Sequence, residues 1–227
     1  MEMIKEFIDN VNFYELAKFI SLFKKDNSPY EILPYVRSDG RQYVNIGSLQ
    51  NSTFYSECVF EYTDIYDREN AVFGNWSDDG TKSHITFGIE NNSQRVVGYT
   101  ELDQFQYINN GEPVINTLYN VKLLNLSIFD PPHTMIINDV EYNSYWGRSS
   151  IVVGDEPFYL FTSGLVVRYL SSIKLYSFKI GDNSLSDQDI TCNLIPVKRK
   201  SDNKIGLYDT VRDQFYTSSS GYDLLYP

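Results

Sequence analysis

The chain has little from which to build a cross-linked or metal-centred domain. Two cysteines and two histidines occur in 227 residues. A disulfide framework or a cysteine-rich metal site is excluded by that count, and Cys58 and Cys192, each between strand-like neighbours, are expected as buried thiols. His84 and His133 have no His or Cys close by in sequence, which argues against a transition-metal site. No metal and no other cofactor is expected. Basic residues are also scarce: 19 Lys and Arg stand against 30 Asp and Glu, a net charge of −11. A field of that sign repels phosphates, so nucleic acid is not an expected partner. Long apolar runs are missing too, none approaching the roughly 18 residues a membrane span needs. The opening MEMIKEFIDNVNFYEL interleaves charged and apolar residues where a signal peptide would carry an unbroken apolar core. Synthesis in the cytoplasm without membrane insertion is the expectation. No G-x-S-x-G nucleophile turn, P-loop or G-x-G-x-x-G cradle occurs.

Aromatic residues are abundant, 15% of the chain with 19 Tyr and 14 Phe. Large rings beside β-branched residues fit a pleated, half-buried surface better than a helix. Residues 1–25 differ from the rest. Ile4, Phe7, Ile8 and Val11 fall at helical spacing, and Leu16, Phe19, Ile20 and Phe23 repeat it on a shifted phase, so two short helices are predicted. Asn12 and Glu15 make a capping-box-like pair that starts the second near Phe13, and Lys24 to Pro29 end it. An element this short cannot bury its own apolar face. Those eight residues are expected to dock on the following domain, on copies of the chain as a homo-oligomer, or on another protein. The division predicted is a helical docking element over 1–30 and one β-domain over 31–227.

From Tyr43 onward strands alternate with turns. Phe54, Ser56, Cys58, Phe60 and Tyr62 share one face of a run whose other face carries Glu57 and Glu61. Similar runs occur at Ile85-Phe87-Ile89, Val121-Leu123 and Tyr176-Phe178-Ile180. Asn138-Asp139 between two apolar runs predicts a hairpin, and Asp79-Gly80 and Asn110-Gly111 predict turns. Ten or more such strands without intervening helices make the fold class all-β, a two-sheet antiparallel sandwich.

Two segments resemble a known family. LPYVRSDGRQYVNIG, residues 33–47, is similar to the "yI-x-S-x-G-x-Q-Y-I-x-T-G" opening of laminin-G-like, concanavalin A-like jelly-roll domains of phage virion proteins and gut-bacterial surface proteins. Tyr35, Ser38, Gly40, Gln42, Tyr43 and Gly47 match it, while Asn45 and Ile46 depart from it. The stretch from Ile173 to Tyr216 is similar to the closing block of the same domains, "I-Y-x-F-K-I-x-D … S-D-x-x-G-L-Y-D-x-V-x-x-x-F-Y". The resemblance spans residues 33 to about 227. It implies a jelly roll and a part in phage tails, fibres or capsid decoration, or in carbohydrate recognition, without fixing one ligand.

Within the closing block, Ser201-Asp202-Asn203 predicts a turn and Gly206 a bulge or close backbone approach. Lys198, Arg199 and Lys200 are expected to be solvated or ion-paired. The whole is expected to act as a fold-closing latch against the strand of Ile173–Ile180. Sugar hydrolases on this sandwich flank the scissile bond with two carboxylates. The nearest candidate, Glu101-Leu102-Asp103-Gln104-Phe105-Gln106, has Gln106 where the second glutamate should stand, and no enzyme is expected. Sugar contact is proposed instead for Trp76, Asp78 and Asp79, where a ring adjoins two carboxylates that could also hold Ca²⁺. Tyr145 and Trp146, with Tyr142, form a second candidate platform. The expected protein is a non-enzymatic virion component, assembled with other virion proteins, with a host surface glycan as a further partner.

Overall fold

The computed structural model describes residues 28–48, 55–65, 70–75, 84–90, 93–99, 104–109, 112–124, 133–144, 157–163, 170–181 and 190–226. Sixteen strands among them form two sheets, antiparallel throughout. The ten-stranded sheet holds β1 (Tyr30–Ile32), β2 (Val36–Asp39), β4 (Tyr55–Asp64), β9 (Leu118–Leu124), β10 (His133–Ile137), β11 (Val140–Ser144), β13 (Ser172–Gly181), β14 (Ile190–Arg199), β15 (Ile205–Asp209) and β16 (Gln214–Tyr216). The six-stranded sheet holds β3 (Val44–Ser48), β5 (Asn70–Gly74), β6 (His84–Glu90), β7 (Ser93–Tyr99), β8 (Gln104–Asn109) and β12 (Pro157–Leu160). No helix occurs among the described residues, and the apolar positions Ile4, Phe7, Ile8, Val11, Leu16, Phe19, Ile20 and Phe23 lie outside them.

Alternation decides which face each strand buries. In β4, Ser56, Cys58, Phe60 and Tyr62 are buried while Glu57, Val59, Glu61 and Thr63 face outward. The same period puts Tyr119, Val121 and Leu123 of β9 inside. Rings from the two sheets meet between them. Phe73 of β5 lies 5.2 Å from Phe178 of β13, centroid to centroid, and 5.9 Å from Phe158 of β12. Phe60 of β4 lies 6.0 Å from Phe87 of β6. Such pairs contribute about 0.5–1.5 kcal/mol each beyond the area they remove from water. Burial pushes the Cys58 and Cys192 thiols well up, so both are inert packing groups.

One predicted phase is corrected. Tyr176 does not share a face with Phe178 and Ile180. A register shift between Leu175 and Ser177, opposite β4, inserts an extra residue. Leu175, Phe178 and Ile180 stay buried, and Tyr176 is only half-buried.

The motif that opens the domain is a self-satisfied turn. The Gln42 side chain is buried, and its Oε1 accepts from the Asp39 amide at 2.9 Å and from the Ser38 hydroxyl at 3.2 Å. Ser38 Oγ in turn accepts from the Gly40 amide, where φ is +85°. At the outer edge Asp39 and Arg41 make a two-bond fork of 3.0 and 2.6 Å.

The closing segment is a latch, with one correction to its pairing. β14, not β15 or β16, pairs with β13, through Ile190–Leu194; β15 then pairs with β14 and β16 with β15. Asp209 is fully buried, and its Oδ1 accepts from the amides of Asn193, Val211 and Arg212 at 3.0–3.3 Å. Its Oδ2 lies 2.7 Å from Arg212 Nε, a contact held by charge because the N–H is not aligned for a hydrogen bond. Arg212 reaches on to the other sheet, donating to the Ile46 carbonyl of β3 at 3.0 Å, and the Tyr216 hydroxyl donates to the same oxygen at 3.4 Å. One buried carboxylate therefore organises a hairpin and ties the edges of both sheets together.

Candidate functional site

The sequence-predicted sugar contacts Trp76, Asp78, Asp79, Tyr145 and Trp146 all lie outside the described residues. Their flanks are described. Asn75, immediately before Trp76, is buried and clamps the start of that segment: its Oδ1 accepts from the Ile85 amide at 2.7 Å, and its own amide donates to the Ile85 carbonyl. Tyr142, the described member of the second candidate platform, is partly buried and packs against the core. Glu101 and Asp103 also fall outside, and His84 and His133 sit in separate strands, β6 and β10. Among the described residues no group of three His, Cys, Asp or Glu is gathered to hold a metal ion.

The described residues bring together a different cluster, on the outer face of the ten-stranded sheet. β4 turns Glu61 outward, and its register partner on β13 is Lys174, whose own partner on β2 is Arg37. Lys174 Nζ lies 2.6 Å from Glu61 Oε1, and the Tyr176 hydroxyl donates to Glu61 Oε2 at 3.0 Å. Tyr176 reaches that carboxylate because the β13 bulge releases it from the buried face. Burial, and then the Glu61 charge beside it, push the Tyr176 hydroxyl well above the usual phenol range, which keeps it a donor.

Two further tyrosines complete the cluster. Tyr35, just before β2, has its ring 5.6 Å from Tyr176 and 5.4 Å from Tyr226, at interplanar angles near 60°. Lys174 Nζ stands 5.4 Å from the Tyr35 ring centroid. Tyr226 arrives on a strap that follows β16. Ser219 donates to the Tyr43 carbonyl, and Leu225 and Arg37 exchange both backbone hydrogen bonds, at 2.8 and 2.9 Å. On the way the strap sets Tyr222, 53% exposed, beneath the Arg41 guanidinium, 5.0 Å from the ring centroid.

A second row crosses the same face further along β4. Lys122 of β9 and Lys179 of β13 flank Glu57 at 3.6 and 3.9 Å, and the Tyr55 hydroxyl donates to Glu57 at 3.2 Å. Glu57 and Glu61 are four residues apart on one strand face, about 13 Å at a rise of roughly 3.3 Å per residue. The face thus offers rings, hydroxyls and charged groups in fixed places, the equipment of binding.

Sequence reasoning missed Tyr35, Arg37, Tyr176 and Tyr226 as one group. Arg37 did carry a signal, a charge between two buried positions, Val36 and Ser38. The return of the strap to β2 carried none.

No protein-family model matches the chain, and no curated protein matches its sequence. Among solved structures, 56 chains match. One is the mouse laminin alpha1 chain, domains LG4-5, with a TM-score of 0.53 and 6% sequence identity over 73% of this chain. The fold is a laminin-G-like jelly roll. At that identity the likeness concerns the fold alone, and it spans 46% of the laminin chain.

Proposed function

We propose that the protein is a non-enzymatic structural component of a bacteriophage virion, in a tail, fibre or capsid decoration, whose jelly roll serves as a binding module in contact with the host surface. The observation that carries the binding reading is the outer face of the ten-stranded sheet, where tyrosines, cations and carboxylates are set in register on a laminin-G-like frame. The phage assignment rests on the resemblance of residues 33–47 and 173–216 to jelly-roll domains of virion proteins. In this reading the chain is made in host cytoplasm, and Ile4 to Phe23 attach it to copies of itself or to other virion proteins. Gold-labelled antibody against the chain, applied to purified particles of the virus that encodes it, is expected to decorate one location. Particles that carry none of the chain would end the virion reading.

A second reading, a module that recognises a bacterial surface glycan, is favoured by the exposed Tyr222 and Tyr226, since sugars are held by ring stacking and by planar hydrogen-bonding groups. Hydrolysis is disfavoured. Glu57 and Glu61 are each engaged by lysine and tyrosine, and Gln106 stands where a second glutamate would follow Glu101 and Asp103. On a glycan array, retention without release of reducing sugar is the expected result.

A further inference from the structure

The tyrosine cluster contains one cation whose hydrogen-bonding groups the fold leaves open among the described residues. Arg37 is exposed at the middle of β2; its charge acts on Asp39, two residues along the same face, but its guanidinium makes no hydrogen bond or close ion pair among the described residues. Its neighbours are satisfied: Arg41 forks onto Asp39, and Lys174 is joined to Glu61. Arg37, Arg41 and Lys174 stand here against Asp39, Glu61 and the strap's Asp223, three charges of each sign, a locally balanced patch on a chain whose net charge is −11. The position of Arg37 is fixed from both sides, by Lys174 across β13 and by the paired backbone bonds with Leu225. Tyr226, 37% exposed, follows Leu225 by one residue and leans on Tyr35, two residues before Arg37.

Resting on the glycan reading above, we infer that this face binds an acidic saccharide, a sugar ring bearing a carboxylate or sulfate. The ring packs on Tyr226, and its anionic group takes the Arg37 fork, whose geometry suits a planar carboxylate or a sulfate edge. The overall charge narrows the class. A long polyanion would meet the repulsion of the whole domain, whereas one anionic group on a largely neutral glycan feels mainly the cation it touches, because charges beyond about 10 Å are screened at moderate salt.

The test is an array of uronate, sialylated and sulfated oligosaccharides, each beside its methyl-esterified or desulfated counterpart, probed with the full chain. The charged member of a pair is expected to bind at least tenfold more tightly. Arg37→Gln abolishes that preference with the wild-type circular dichroism spectrum and thermal midpoint, and Tyr226→Ala weakens both members with the wild-type spectrum and a slightly lower midpoint from the lost Tyr35 contact. Equal binding of charged and neutral members, or full preference in Arg37→Gln, overturns the assignment. If binding instead vanishes in Trp76→Ala or Trp146→Ala and is untouched in Arg37→Gln, glycan recognition stands and this site falls. Retention of no saccharide at all ends the glycan reading and the site together.

Discussion

Two aromatic–arginine clusters on the same sheet have similar parts and opposite states. In the first, beside the latch, Tyr30 lies 4.7 Å from Tyr208 and 5.5 Å from Phe215, and Arg199 stacks 4.5 Å from the Phe215 centroid. That arginine is fully employed, forking onto Asp202 at 3.0 and 2.6 Å, and the Tyr208 hydroxyl donates to Asp213. In the second, Tyr35, Tyr176 and Tyr226 surround a sheet edge where Arg37 has no such carboxylate among the described residues. A cluster whose polar groups are all spent on one another holds a fold; one with a group left over can hold something else.

Changes at the latch are expected to cost stability, and a change at Arg37 in the open cluster to cost binding. The largest loss is expected from Asp209→Ala, which removes the acceptor for three amides and leaves Arg212 without its buried counter-charge. About 3–4 kcal/mol should disappear from the urea unfolding free energy. Gly206→Ala follows at about 1–3 kcal/mol, since a Cβ there would stand 2.3 Å from the Tyr216 carbonyl oxygen and 2.7 Å from the Phe215 ring. Arg199→Gln should lower the thermal midpoint slightly through the lost ring contact, whereas Arg37→Gln should leave it unchanged; equal losses would erase the contrast between the clusters. The smallest effect is one of pH. The Arg199 fork, partly offset by burial, lowers Asp202 from 3.8 to about 2. A depressed carboxylate contributes stability above its unfolded pKa, so this contribution is present above about pH 4 and is lost as pH falls toward 2. Acid titration of the midpoint in wild type and Arg199→Gln should converge at the low end of that window.

Much of the frame was legible in the residues. The alternation of β4 predicted its buried and exposed faces, and Asn138-Asp139 closes the β10–β11 hairpin with φ of +47° and +65°, the left-handed pair that a two-residue turn requires. Asn203, at φ +58°, lies in the predicted turn before β15, and Gly206 meets its close approach. Lys198 and Arg199 are ion-paired, with Glu31 and Asp202. What escaped was register. The extra residue in β13 has no composition of its own, and it alone decides that Tyr176 faces Glu61 rather than the core. Nor does any local pattern announce that β14 intervenes between β13 and the latch, or that Leu225 returns to Arg37. The candidate site at Trp76 and Trp146 was read from local composition, while the tyrosine cluster exists only through pairings between opposite ends of the chain.

Those distant pairings also set the order of events during synthesis. Among the described residues β2 pairs with β13 and with Leu225 of the strap, β1 pairs with β14, and β3 receives Arg212 and Tyr216 from the β15–β16 hairpin. These early strands must therefore wait for those partners until residues 172–225 have left the ribosome. High contact order of this kind slows the search for the native pairing and leaves strand edges open to other molecules meanwhile. A nascent chain halted before Ile190 is expected to be protease-sensitive throughout, with resistance appearing in a single step once Tyr216 has emerged.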